Sequence, residues 1–369
     1  MKSSFISSLL LLVLEFQPVN SFAYIDQPDG ILPKSSPFKP TANAPASSTP
    51  DPTVLAELAT FACTLADTAR LQILPHWRSP RHSLAQEIKH ESDRSEFQSA
   101  SPVTLADRAA EWAMRELIEK QYPHHGIYGE EYGVIRSDAD WVWVLDPIDG
   151  TRSFITGKPL FGTLVSCLYK GTPVIGIIDQ CVLEERWVGI AGQPTKMNGT
   201  PIRTDGVANL KEAEMFSTSP DMFRNQDLLK FTSMKRAVRT PHYGADCYAY
   251  ALVASGYCDV VVEADLGLYD YCALVPVLEG AGGVICDWEG RKLTLENHER
   301  SKGRVVACAN AGLLEEALEI LRLDPLEEHG QLALEKMKDN NVLLIPDQST
   351  VTPWLFGVMV GEVIAHLGL

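Results

Sequence analysis

Residues 141–154 read WVWVLDPIDGTRSF: an apolar run of β-forming side chains, then two acids separated by Pro-Ile, then Gly-Thr-Arg-Ser-Phe. The run 141–145 predicts a short buried strand, and Asp146-Pro147 is a turn-forming pair that ends it. A strand end followed by a turn can aim Asp146 and Asp149 at one point in space. Hard divalent cations such as Mg2+ take oxygen ligands of this kind. The main-chain carbonyl of Ile148 lies between the two acids as a further oxygen, and Glu130, in Gly129-Glu130-Glu131, is placed to close the cluster. Directly downstream, Gly150, Thr151, Arg152 and Ser153 bring small and hydroxyl-bearing residues to the start of a helical turn. Free backbone N–H groups there can hold phosphate oxygens. A cation cluster beside an anion cradle is what phosphoryl transfer requires, because metals offset charge on the moving group. Taken singly, each piece has an ordinary reading: Asp-Pro and Asp-Gly occur in plain turns, and paired glutamates sit on solvated faces.

Outward from this stretch, apolar residues at helical spacing predict a helix over 53–73, through Val54, Leu58, Phe61, Leu65 and Ala69. A second helix is expected over 104–121, through Leu105, Ala109, Trp112, Met114, Leu117 and Ile118. Strands are expected over 160–169 and 173–178, broken at Lys170-Gly171, and over 185–190. In the second half, 248–255 reads as helix, 260–263 as strand and 273–280 as helix; strands over 284–287 and 305–309 precede a final helix over 313–321. Layers of helix and sheet thus alternate in two halves, with a boundary near 192–205. Residues 53–195 form an N-terminal α+β subdomain carrying the metal and phosphate motifs, and 196–322 a C-terminal α/β subdomain.

Further acids lie in the second half: Asp246 in Gly244-Ala245-Asp246-Cys247, Glu263 at a strand end, and Asp270 in Tyr269-Asp270-Tyr271. Asp270 begins a predicted helix, so capping of free N–H groups and metal ligation are both open to it.

GEEYG at 129–133, LDPIDGTRSF at 145–154 and YDYCALVPVLEGAGG at 269–283, with PVTLAD at 102–107 upstream, stand in the order of the inositol-monophosphatase superfamily motifs. The chain resembles that superfamily over about residues 53–321. The resemblance implies an α/β (α+β) fold, the layered αβαβα sandwich of the inositol-monophosphatase/fructose-bisphosphatase type, with the site between its halves. It implies that Glu130, Asp146, the Ile148 carbonyl, Asp149 and Asp270 hold two or three Mg2+ ions. Asp107, Thr151 and Glu130 are the implied catalytic residues, Asp107 and Thr151 orienting and deprotonating the attacking water. Gly150 and Thr151 would hold phosphate through main-chain N–H groups, beside Arg152. The implied reaction is direct hydrolysis of a phosphomonoester by metal-activated water, and the implied assembly is a homodimer.

Tyr269 stands where inositol phosphatases usually carry Trp, and with GADCYAY at 244–250 this version resembles the histidinol-phosphate phosphatase branch. Histidinol phosphate carries a protonated amine and an imidazole, groups that Asp246 and Glu263 could pair with. An inositol ring offers only hydroxyls. Asp246 is the sharper clue, since Glu263 fits either substrate; the ordinary alternative is that Asp246 hydrogen-bonds its own loop. The expected function is Mg2+-dependent hydrolysis of L-histidinol phosphate to L-histidinol and phosphate, in histidine biosynthesis. Alternatives are an inositol-1-phosphate or broad sugar-phosphate phosphatase, and a non-catalytic binding protein on the same fold.

Composition narrows the partners. The 369 residues include 32 Lys+Arg against 48 Asp+Glu, a net charge of −16. Such a surface repels nucleic acid and anionic lipid, and a small anionic substrate would need help from a metal cation. The partner the resemblance implies is a small phosphate monoester, and the mature protein is expected not to be membrane-bound. The eight cysteines lie in apolar stretches with no CxxC pair, as buried free thiols in a reducing compartment do. Residues 1–52 read as a targeting presequence and disordered linker: Lys2 precedes an apolar run over 5–14 too short to span a bilayer, and 24–52 is rich in Pro, Ser and Ala. Asn20-Ser21-Phe22-Ala23 resembles the Ala-Phe cleavage motif of bipartite plastid presequences. Import into a plastid stroma reconciles the leader with the free thiols. Secretion is the alternative, and with it a secreted binding protein whose cysteines would be paired. Residues 323–369 form an extension of unknown role; its apolar end, 353–369, is broken by Gly357, Gly361, Glu362 and His366 and could be a docking helix, a strand or a tail.

Overall fold

Asp51 starts the first helix, α1 (Pro52–Ile73): its Oδ1 accepts the N–H of Thr53 at 2.7 Å, and Pro52 follows at the first helical position. The computed structural model describes residues 50–79, 87–88 and 102–323, all within the unit Pro40–Leu369. The leader, its cleavage motif and the extension beyond 323 lie outside the described residues. Strands β1 (Glu87–Ile88) and β2 (Pro102–Val103) pair antiparallel, and α2 (Leu105–Gln121) follows with Thr104 as its N-cap.

An eight-stranded sheet comes next, built from β3 (Gly126–Gly129), β4 (Gly133–Ile135), β5 (Trp141–Asp149), β6 (Gly162–Tyr169), β7 (Thr172–Gln180), β8 (Glu185–Ile190), β9 (Lys196–Met197) and β10 (Thr200–Pro201). Its spatial order is β10-β9-β8-β7-β6-β5-β3-β4, and α3 (Thr151–Ile155) is inserted between β5 and β6. The β3–β5 pair is parallel; the other ladders run antiparallel. Side chains alternate across the sheet. Trp143, Leu145, Val165 and Ile177 join the core under α1 and α2, whereas Val142, Val144, Leu164 and Ile178 join the core on the opposite face. Both faces are covered, so these strands read as unbroken apolar runs.

The second sheet has five strands in the order β12-β11-β13-β15-β14. In chain order the elements are β11 (Glu214–Ser217), α4 (Asn225–Ala237), β12 (Thr240–Tyr243), α5 (Cys247–Ala254), β13 (Val260–Glu263), α6 (Leu268–Tyr271), α7 (Leu274–Gly280), β14 (Val284–Cys286), α8 (His298–Ser301), β15 (Val305–Cys308) and α9 (Ala311–Arg322). Helices α5 and α7 contact both sheets, while α9 packs on β15 and on α4. The layers therefore run helix, sheet, helix, sheet, helix, the αβαβα sandwich expected from the sequence. None of the described helices is long and apolar enough to cross a membrane. All eight cysteines stand as free thiols, seven of them buried.

One expectation needs correction. Asp146-Pro147 does not end the strand: β5 continues to Asp149. Its register against β6 slips between Asp146, opposite Leu164, and Asp149, opposite Gly162. Pro147 has no N–H to donate, so it fits where a ladder is interrupted, and its carbonyl accepts the Thr163 hydroxyl at 2.8 Å. Sequence periodicity also left β3, β4, β11, α4 and β12 unassigned.

Candidate active site

The slipped end of β5 carries two of the acids read from the sequence, and α6 brings a third. One carboxylate oxygen from each of Asp146, Asp149 and Asp270 lies within 4.8 Å of the others. Asp270 is the third residue of α6, and its Oδ2 accepts the Gly267 N–H at 2.6 Å. It caps the helix and also lies in the acid cluster. Asp149 Oδ2 accepts the Cys247 N–H at 2.5 Å, which ties the end of β5 to the start of α5. Glu130 follows β3 directly, its N–H donating to the Leu145 carbonyl at 3.2 Å, and its charge acts on both Asp146 and Asp270.

Burial, reinforced by these like charges, holds Asp146 and Asp149 well above the ordinary carboxylate range and pushes Asp270 up to about 8. Asp146 Oδ1 is buried without a hydrogen-bond partner. An all-oxygen set of crowded carboxylates, one of them with an oxygen left unsatisfied, matches what a hard divalent cation such as Mg2+ requires.

This arrangement sets a pH dependence. Asp270 binds a proton up to about pH 8 in the folded chain but only up to about 3.9 when unfolded. Between those values the native state holds more protons, so stability falls as pH rises through the folded pKa. Thermal melts in a chelator should therefore show a higher Tm at pH 6 than at pH 8, and excess Mg2+ should raise the pH 8 value most. A Tm indifferent to both would contradict this electrostatic picture.

Around the acids, the Gly-Thr-Arg-Ser segment opens α3. Gly150 takes φ 86°, a left-handed conformation that glycine adopts without strain, and a Cβ there would stand 2.9 Å from the Asp246 carboxyl carbon. Thr151 is buried, and its hydroxyl donates to the Ile148 carbonyl at 3.0 Å. Arg152 is exposed. Asp107, fully buried in the first turn of α2, accepts the Thr104 N–H at 2.8 Å and the Thr104 hydroxyl at 2.5 Å. It completes a capping box.

Asp246 holds a strained backbone (φ 47°, ψ −139°) and accepts the Ser153 hydroxyl at 3.1 Å, so its carboxylate reaches across to the Gly-Thr-Arg-Ser segment. Burial pushes it up to about 6, against the pull of the Ser153 and Thr218 hydroxyls and the nearby Lys158 and Arg152 charges. Glu263 is 2% exposed, with Oε1 taking the Thr218 N–H and Oε2 the Tyr250 hydroxyl, each at 2.8 Å. Its burial raises it to about 7. It is buried, and the Asp246 charge adds to its upward shift. Cys247, Thr218 and Tyr250 were not foreseen as members of the site; they stand 98, 45 and 13 positions from the acids they meet, and no local spacing signals such a meeting.

Comparison with known proteins extends these observations. The Inositol monophosphatase family model matches residues 54–323. The chain is 49% identical over 226 residues to the bifunctional phosphatase IMPL2, chloroplastic, of Arabidopsis thaliana, covering 60% of this chain and 65% of that protein, just under two thirds of its length. It is 34% identical over 203 residues to a histidinol-phosphatase of Chlorobaculum parvum, covering 53% and 76%. Among solved structures, an inositol monophosphatase from Zymomonas mobilis superposes with TM-score 0.63 at 41% identity, over 73% of this chain and 98% of that one. With the family model running from the third residue of α1 to just past α9, this chain belongs to the inositol monophosphatase family.

Proposed function

We propose that the protein is a Mg2+-dependent phosphomonoesterase whose preferred substrate is L-histidinol phosphate. The observation that carries the chemistry is the convergence of Asp146, Asp149 and Asp270 within 4.8 Å beside the start of α3. Glu130, Asp146, Asp149, Asp270 and the Ile148 carbonyl would hold the cations. When bound, such ions lower the pKa of water and neutralise the charge on phosphoryl oxygens.

The remaining steps fall to this chain's own groups. The N–H groups of Gly150 and Thr151 orient a phosphate at the start of α3. The Thr151 hydroxyl already donates to the Ile148 carbonyl, which leaves its oxygen lone pairs to accept a hydrogen bond from the attacking water and orient it. Asp107 shapes this side of the site by holding Thr104 at the head of α2. Direct hydrolysis needs no phosphorylated side chain.

Asp246 supports the choice of leaving group. It lies against Gly150 and is anchored by Ser153, so an ammonium group next to the phosphate would meet a carboxylate there. Glu263, whose oxygens are engaged by Thr218 and Tyr250, adds a second carboxylate that acts electrostatically on Asp246. The relatives named as a bifunctional phosphatase and a histidinol-phosphatase agree with this choice. The leader read in the sequence and the chloroplastic Arabidopsis relative support a plastid location.

The test is phosphate release from histidinol phosphate, inositol 1-phosphate and a sugar phosphate, with and without Mg2+. Histidinol phosphate should show the highest kcat/KM, by about 10-fold or more, the worth of one paired charge. A higher value on inositol 1-phosphate would establish the second reading, which the likeness to the Zymomonas enzyme favours. No release from any ester would remove the catalytic reading altogether.

A further inference from the structure

We infer that Glu111 is a positioning residue: its carboxylate clamps the segment around Glu130 and thereby sets the affinity of the acid cluster for a divalent cation. The inference rests on the site described above, but Glu111 belongs to none of the motifs and has no place in the hydrolysis itself.

Glu111 lies one turn after Asp107 on α2 and is fully buried. Its Oε2 accepts the Glu131 N–H at 2.7 Å, and its Oε1 accepts the Tyr132 N–H at 3.1 Å. Arg115, one turn further along, donates Nε to the same Oε1 at 2.7 Å and reaches the Gly133 carbonyl with Nη2. A Cβ at Gly129 would overlap the Glu111 carboxylate, so the segment is packed onto this pair without clearance.

Glu130 is thereby bracketed. Its own N–H is fixed to Leu145 on β5, and the next two N–H groups are fixed to Glu111. With the backbone held on both sides, the Glu130 side chain loses the freedom to swing away from Asp146 and Asp270. Three donors converge on two oxygens, and only a carboxylate can accept all of them; glutamine would aim an NH2 at one. An apolar side chain in place of Glu111 would strand Arg115 and both amides, so the informative change keeps the side chain's shape and removes only the charge. Partners of this kind commonly change metal affinity by 10–100-fold.

Glu111→Gln tests the inference. Mn2+ binding to the metal-free protein, followed by electron paramagnetic resonance well below the unfolding temperature, should weaken by about 10–100-fold. Amide exchange at Glu131 and Tyr132 should speed up. In phosphate release, the half-saturating Mg2+ concentration should rise while kcat at saturating metal stays within about 3-fold, a split that a loss of folded protein would not produce. If the variant does not fold, Arg115→Lys keeps the charge but loses the fork that reaches Gly133, and a smaller rise of the same sign is expected. A folded variant with unchanged Mn2+ affinity overturns the clamp and leaves the site reading standing. Wild-type protein that binds no Mn2+ overturns both.

Discussion

In the Asp149→Asn variant, phosphate release at saturating Mg2+ should fall by about 10^3-fold or more, while the metal-free protein melts no lower than wild type. The first effect follows from the loss of one charged oxygen in a site where cations supply several kcal/mol, each 1.36 kcal/mol being tenfold in rate. The second follows from what Asp149 does in the fold. Its Oδ2 accepts the Cys247 N–H, a role the amide oxygen of asparagine can fill. What disappears is a carboxyl group whose ionisation is opposed by burial and by the neighbouring Asp246 and Asp270. Asp149 is the better probe than Asp270, whose carboxylate also caps α6, so that its loss would mix helix stability with chemistry. Activity within about 10-fold of wild type at saturating metal would mean Asp149 is no ligand. Lost activity with a sharply lower Tm would assign it to the fold instead.

The same residues show how much of the site was legible in the chain and why the rest was not. Trp141 to Asp149 could be read because strand propensity, two acids and a glycine lie within one short segment, so spacing alone brings Asp146 and Asp149 together. The hairpin between β6 and β7 could be read for a similar reason: Lys170 and Gly171 both take left-handed backbone, and apolar runs flank them. The strand's continuation past Pro147 could not, because it depends on the Thr163 hydroxyl and a register slip supplied by the neighbouring strand. Strands β3, β11 and β12 are short and carry glycine, proline or charge, so tertiary pairing decides them and periodicity does not. The contacts of Asp246 with Ser153, and of Cys247 with Asp149, join residues 93 and 98 positions apart. A single sequence names the partners in such a contact without showing that they meet.

Asp246→Asn should cut kcat/KM for histidinol phosphate by about 10–100-fold and leave inositol 1-phosphate within about 3-fold, the difference being the worth of a charge-assisted hydrogen bond in a partly buried site. Asparagine is the discriminating choice because of the backbone. At φ 47°, ψ −139° any side chain is strained, and asparagine keeps the shape of the native aspartate there together with an oxygen for the Ser153 hydroxyl. Asp246→Ala would disturb Ser153, Gly150 and the phosphate cradle together, and so would lower both substrates before any selectivity could be read. The asparagine variant isolates the charge: an ammonium group loses its counter-ion, while a ring hydroxyl exchanges one acceptor for another. Burial raises Asp246 to about 6 against the pull of Lys158 and Arg152, which leaves the wild-type carboxylate mostly ionised at neutral pH and able to pair with a cation. Parallel losses on both esters in Asp246→Asn would show that this carboxylate serves the phosphate segment rather than the leaving group. The substrate would then have to be recognised elsewhere in the site.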